Sequence, residues 1–369
     1  MNKLICLIQE LCPNGVEYLP LEKCCTILDN KRKPVTKAAR EAGEYPYYGA
    51  NGIQDYVSDY IFNGTFVLVG EDGSVITSNG TPVVTWATGK IWVNNHAHII
   101  SEIDGVLLRY LFHYLQTVNV TPLIHGNIPK LTGGDFRALR IPLPPLAVQQ
   151  EIVRILDSFT ELTAELTAEL TARRKQYEHY RDELLTFGED VQRRKLVDSC
   201  DICRGVRVVR KQLSNSGRYP VFQNSLSPLG FYEKANCRAN TTFIITAGAA
   251  GSLGYSSTEF WAADDCYFFE CAKDVILDKF LFYALDSQQE KILSMVRKAS
   301  IPRLGRSSIE NLSIPIPSLP VQESIVSILD SFSVICNNLI FGLPAEIAAR
   351  QKQYEYYRDK LLTFKELER

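Results

Sequence analysis

Two groups of basic residues, each followed by an aromatic and amide-rich stretch, carry the clearest chemistry in this chain. Lys31, Arg32 and Lys33, with Lys37 and Arg40 behind them, precede EYPYYGANG, which holds Tyr47 and Asn51. Further on, Arg204, Arg207, Arg210 and Lys211 precede RYPVFQNS, which holds Gln223 and Asn224. A third pair sets HGNIPK, with His125, Asn127 and Lys130, against RKASIPR, with Arg297, Lys298 and Arg303, and Asn79 adds an amide in the first half. Lys and Arg suit phosphates and guanine edges, while Asn and Gln can pair bidentately with adenine. A single basic cluster is more often a solvated surface. The same cluster at the same place in both halves makes these residues a candidate DNA-binding set.

Catalytic chemistry finds no such support. No Gly-rich loop ends in Lys-Ser or Lys-Thr, no G-x-G-x-x-G opens a helix after a strand, and the Asn/Asp-Pro-Pro-aromatic signature of amino-methyltransferases is missing. Cys200 and Cys203 form a lone C-x-x-C without a second pair at zinc spacing, and read as two half-buried cysteines on a strand. His96 and His98 are read as opposite-facing residues of one strand with no third ligand, so no metal site is assigned. GEDGSV, starting at Gly70, is set against GAAGSL, starting at Gly248. Alanines then stand where Glu71 and Asp72 do, which excludes a shared acid role and leaves a tight turn.

The elements that must position these residues come twice. A block from Asn127, NIPKLTGGDFRALRIPLPPLAVQQEIVRILDSFTEL, aligns without a gap with SIPRLGRSSIENLSIPIPSLPVQESIVSILDSFSVI from Ser300. Then ARRKQYEHYRDELLTF, from Ala172, matches ARQKQYEYYRDKLLTF, from Ala349. The offset grows from 173 to 177 residues between these blocks, and the growth falls where TELTAELTAELTA, residues 160–172, repeats a four-residue unit. Four residues are about one helical turn, so each unit adds length and little else. The segments before the blocks repeat weakly: Tyr45-Pro46 answers Tyr219-Pro220, Trp92 answers Trp261, and YLFHYL answers FLFYAL.

Apolar residues at three- and four-residue steps from Val148 to Phe187 predict a helix of about 40 residues, roughly 60 Å long, ending near Gly188. Its stripe needs another helix, and the second copy, 321–367, is the candidate, with Phe159, Leu162, Leu166, Leu170, Leu329, Phe332 and Leu339 as the packing residues. Asn337-Asn338 and Gly342-Leu343-Pro344 predict a kink or break there, with Pro344 restarting the helix. Short β-branched or aromatic runs at 65–69, 83–86, 91–93, 98–100, 242–246 and 267–270 read as strands, and 105–115 and 278–295 as one helix in each half. The fold class is α+β.

With 369 residues, 46% of them hydrophobic, the chain is long enough for two domains, and its net charge of −2 supplies no global field toward nucleic acid or acidic lipid. No apolar run reaches membrane-spanning length, the start lacks a secretory cleavage site, and ten scattered cysteines suit a reduced cytoplasm.

Taken together, the opening CPNGVEYLPLEKC, the two IPLPPLAVQQEIVRILDSF-type blocks, the two QKQYEYYRDKLLTF-type segments and the Thr-Ala-Glu-Leu repeats resemble the specificity subunit of type I restriction-modification systems, over the whole chain. That resemblance implies two β-rich target-recognition domains, 1–145 and 189–317, separated by two long antiparallel helical spacers, 146–188 and 318–369, with a pseudo-twofold internal repeat. Each domain would read one half of a split site in double-stranded DNA. The helices would set the gap and dock methyltransferase subunits, two of them, alongside restriction and translocase subunits. The chain itself would be non-catalytic and need no cofactor. One repeat unit more would move the domains by roughly 6 Å, about one or two base pairs. The competing class is a helical scaffold whose two domains bind protein or glycan, and a solitary metalloenzyme is a distant third.

Overall fold

Pro144 and Pro145 end an extended segment, and Leu146–Leu184 follows as one 39-residue helix. It closes four residues earlier than expected, before Gly188, because Leu185 and Thr186 are held by the last turn without prolonging it. The repeated stretch stays helical despite its threonines. Thr160, Thr163 and Thr171 donate their hydroxyls to the carbonyls four residues back, at 3.1, 2.8 and 2.9 Å, so each hydroxyl finds its partner within the helix. The second copy is two helices, Leu319–Asn337 and Leu343–Leu361, with Pro344 in the first turn of the latter. In this computed structural model the structure describes residues 2–73, 75–337 and 342–368, so Leu339 lies outside the described residues.

The chain folds as two units, one formed by residues up to Leu166 together with those from Ile347 onward, the other by Thr167–Glu346. In the first, six strands run in the spatial order Thr26–Ile27, Ala97–Ser101, Phe62–Gly70, Val84–Val93, Ala42–Gly49, Gly52–Val57. All neighbours are antiparallel except Ala42–Gly49 and Val84–Val93, where Tyr47 pairs with Trp92 in parallel. In the second unit Cys200–Arg204, Cys266–Cys271, Thr241–Ile245 and Leu253–Ser256 form one antiparallel sheet, while Gly230–Tyr232, Tyr219–Phe222 and Trp261–Ala262 form another. There Val221 pairs with Trp261 in parallel, as Tyr47 does with Trp92. One difference separates the two layouts. The single strand Val84–Val93 corresponds to two strands in the second unit, Leu253–Ser256 and Trp261–Ala262, and the sheet divides between them. The expected strands at 83–86 and 91–93 are therefore one strand, and Gly89, at φ 82°, lets it pass through without a break.

Helix boundaries also differ from the periodicity. The helix expected at 105–115 is Leu108–Leu115, since Leu107, at φ −69° and ψ 124°, is still extended. The one expected at 278–295 is two, Asp278–Asp286 and Gln289–Ser294. Each unit has its own apolar core. In the first, Leu21, Leu111, Phe136, Ile141, Ile152 and Leu156 are fully buried; in the second, Leu196, Phe269, Phe280, Ile314 and Leu329 are. Among the described residues no helix is long and apolar enough to cross a membrane.

Candidate nucleic-acid interface

The third basic pair lies on two loops built alike. His125 and Lys130 pair across the first, and Arg297 and Arg303 close the second through backbone bonds of 2.9 and 3.2 Å. Each loop is pinned to a glycine turn at the end of a central strand. The Gly73 N–H reaches the Pro129 carbonyl at 3.0 Å, and the Gly248 N–H reaches that of Pro302 at 3.3 Å. Two residues on, the Leu131 N–H donates to the Glu71 carbonyl at 2.8 Å and the Leu304 N–H to that of Thr246 at 2.9 Å. Gly73 and Gly248 both sit at φ 81°, where a side chain would be strained. These bonds correct the alignment of the turn. GEDG, 70–73, answers ITAG, 245–248, three residues from the match that letters alone suggested; Glu71 and Asp72 still have no acidic counterpart, since Thr246 and Ala247 stand there.

Exposure sorts the predicted residues. Lys31, Lys33, Asn51, Asn79, His125, Asn127, Lys130, Arg207, Arg210, Lys211, Asn224, Arg297, Lys298 and Arg303 are exposed. Lys130 also approaches Glu71 at 3.3 Å, and His125 approaches Asp135 at 3.6 Å. Gln223 is half-buried and donates to Asp264 at 3.4 Å. Two residues turn inward instead. Arg32 is spent inside the unit, its guanidinium 2.6 Å from Glu71, 3.6 Å from Asp29 and 2.7 Å from the Ala97 carbonyl. Tyr47 is 1% exposed; its hydroxyl meets the backbone N–H and carbonyl of Val35 at 2.9 and 3.3 Å, and Arg40 lies 4.1 Å over its ring. Tyr47 thus props the basic loop from below. Trp92 anchors the same loop by donating its indole N–H to the Lys33 carbonyl at 2.7 Å, and Trp261 does so to Val206 at 2.7 Å, which places Lys31 opposite Arg204.

A cavity of about 520 Å³ opens beside the first loop, lined by Asn51, Gln54, Asp72, His96, Ile128 and Lys130 among others. The sequence reading passed over Gln54, because nothing in its neighbours marks it. Its orientation is fixed by a chain of bonds. The Asn94 carboxamide oxygen accepts the His96 backbone N–H at 2.8 Å, so its nitrogen donates, to the Gln54 oxygen at 3.2 Å. Gln54 therefore keeps its amide hydrogens for the cavity, and Gly49 makes room, since a Cβ there would stand 2.1 Å from that nitrogen.

His98, Asp29 and Glu71 converge closely enough to hold a cation. Their charge is met from within: Arg32 bonds both acids, and the His98 ring nitrogens face Asp29 at 2.7 Å and the Leu131 carbonyl at 3.1 Å. Although burial pushes the Asp29 carboxyl up, bonds from His98 and Ile99, with the charges of His98 and Arg32, hold it below its ordinary value. The cluster fastens the loop base to the sheet. Reading His96 and His98 as opposite-facing was an error of period, since residues two apart on a strand share a face; His96 in fact lies in the turn before Ala97–Ser101, bonded to Asp72. Cys200 and Cys203, three apart on Cys200–Arg204, point to opposite faces.

Behind the loops, two matched latches join each spacer helix to a short helix of its unit, Leu108–Leu115 and Asp278–Asp286, and to the turn before it. Gln149 is fully buried; it accepts the Leu107 N–H at 3.0 Å and donates to the Pro144 and Gly105 carbonyls at 2.8 and 3.1 Å. Gln322 makes the same three bonds, to Leu277, Pro317 and Val275, each at 2.9 Å. Asp157 accepts from Arg109 and His113, both at 2.8 Å, and Asp330 from Lys279 and Tyr283. Of the expected helix-packing residues, Phe159 stacks on Tyr357 at 5.4 Å in the first unit, and Phe332 meets Tyr180 at 5.5 Å in the second, where Leu329 is fully buried. Leu162, Leu166 and Leu170 are half-buried, and neither apolar core includes them.

A family model described as type I restriction modification DNA specificity domain matches the chain twice, at residues 13–173 and 188–349. A putative type I restriction enzyme specificity subunit of Haemophilus influenzae is 36% identical, with 95% of this chain and 96% of that one aligned. A type I restriction enzyme specificity subunit of Escherichia coli is 29% identical over 81% of this chain and 85% of its own. Among solved structures, the S subunit of a type I system from M. genitalium superposes with a TM-score of 0.66 at 17% identity, covering 95% of this chain and 97% of that one.

Proposed function

The chain belongs to the type I restriction-modification DNA specificity family, and we propose on that basis that each of its two units reads one half of a split DNA sequence. Its part in such a system is DNA sequence specificity, and the family is non-catalytic. Residues 1–145 and 189–317 are the proposed recognition domains, with 146–188 and 318–369 as spacers. The exposed basic and amide residues named above are the proposed contacts, with Gln54 added and with Arg32 and Tyr47 acting from beneath. The spacers fix the gap between half-sites, and each docks one methyltransferase subunit. Methyl transfer, translocation and cleavage belong to those partners and to restriction subunits, in the cytoplasm.

One observation carries this reading: the same loop, pinned by the same two backbone bonds to a turn that ends in a left-handed glycine, recurs in both units with basic residues on it. Two similar readers in one chain suit a two-part site. The net charge of −2 asks partners to supply part of the phosphate contact, so the test uses the chain assembled with its methyltransferase subunits. Binding to duplex DNA should weaken steeply with salt, with a slope of about −0.9 for each phosphate contacted. Replacing Arg297, Lys298 and Arg303 by Gln should reduce that slope. A salt-independent association would instead favour a scaffold.

A further inference from the structure

Ile128 is 68% exposed and Ile301 is 54% exposed. They occupy the same position of the two matched loops, 173 residues apart, each followed by the proline whose carbonyl the glycine turn grips. We propose that these two isoleucines are wedges that insert between stacked bases of the recognised duplex, one in each half-site. The proposal deepens the DNA-reading assignment and rests on it.

A lone exposed isoleucine needs no explanation; two at equivalent places on stiff loops do. A mobile loop would fold its isoleucine against the body. These loops are held instead: the arm after each isoleucine is bonded to the turn at the end of the sheet, the arm before it is bonded to that same downstream arm, and the side chain is left outside a fixed base. Their surroundings select the occupant. Residues 297–303 carry three cations and no acid, while Asn127 and Lys130 stand beside Ile128, Lys130 with its ammonium 3.3 Å from Glu71, so cations and an amide that suit phosphates lie beside each apolar tip. An apolar point beside such groups fits a polyanion with an apolar interior, which a stacked duplex is. Isoleucine is among the side chains that part base steps in this way. In the first unit the cavity holding Asn51 and the Gln54 amide hydrogens begins at Ile128, so hydrogen-bonding groups for base edges stand beside the step that would open.

The experiment uses the chain assembled with its methyltransferase subunits and duplexes carrying 2-aminopurine at successive steps of each half-site. With the wild type, fluorescence should rise at one step in each half. Ile301→Ala should abolish the rise in one half-site only and weaken binding roughly tenfold to a hundredfold, the scale of leaving one aliphatic side chain unburied. Ile128→Ala should do so in the other half, and Ile→Met at either position should restore both readouts. The salt slope should not change, because no charge is removed. Since both side chains are exposed, melting temperatures should match the wild type. Unchanged fluorescence and affinity in the alanine variants would overturn the proposal, as would loss of assembly with methyltransferase subunits, which would make the isoleucines protein contacts. A wild type that binds no duplex would fail the DNA-reading assignment itself, and the wedges with it.

Discussion

Gln149 and Gln322 illustrate how a single side chain can decide where a helix begins and what it is joined to. Each satisfies one backbone donor and two backbone acceptors, of which the Pro144 and Pro317 carbonyls are buried. Replacing Gln149 by Leu leaves those three groups unpaired and should lower stability by about 2–4 kcal/mol, read as a shifted urea midpoint. A neutral result would mean that water takes the place of the carboxamide. His113 sets a second, pH-dependent contribution. Burial pushes its imidazole below the ordinary value, against the upward pull of Asp157, and Tyr354 satisfies its other nitrogen at 3.0 Å. The folded unit thus keeps His113 neutral while the unfolded chain protonates it near pH 6.5, so the contribution is whole above that pH and is lost as pH falls below it. Midpoints measured at pH 7.5 and 5.5 should fall for the wild type and fall less for His113→Gln. An unchanged slope in the variant would sink this assignment. The sequence held these latches only in part. Both glutamines were visible as a matched pair, but their bonds were not, and Arg32 and Tyr47 looked like surface contacts because a basic, aromatic stretch cannot declare which members face inward.

At the scale of elements, the long helix was legible and the sheets much less so. Spacing of isoleucine and leucine located Leu146–Leu184 to within a few residues. Strand limits depended on pairing instead. Val84–Val93 runs unbroken because Phe62–Gly70 pairs with it from Ile91 to Val84, a fact no local pattern contains. The turn alignment failed for the same reason, since letters matched Gly70 with Gly248 while hydrogen bonds match Gly73 with it. The Thr-Ala-Glu-Leu stretch makes its own prediction. It is exposed or half-buried, helical, and bonded chiefly to itself, so removing four residues, 164–167, should shorten the helix by one turn, about 6 Å, and leave both cores intact. The recognised gap should shrink by about one or two base pairs with both half-sites unchanged. A variant that folds and methylates at the old spacing would remove the helix from the role of ruler.

Across the whole molecule, the internal repeat is the organising fact. Gln149 and Gln322, Asp157 and Asp330, Trp92 and Trp261, and the two glycine-pinned loops form the same bonds twice within separate cores. The first unit is also closed by the chain's far end: the Val16 N–H donates to the Lys365 carbonyl and the Leu367 N–H to that of Val16, both at 2.9 Å, and Gly15, at φ 109°, leaves room for that strand to approach. A chain with two such units, each reading a half-site as proposed, should recognise one interrupted sequence. The most direct measurement is long-read mapping of modified bases in cells with this gene intact and deleted. The account predicts loss of methylation at a single motif of two short half-sites separated by a fixed gap, and at no other. Loss at a continuous, uninterrupted motif would contradict it.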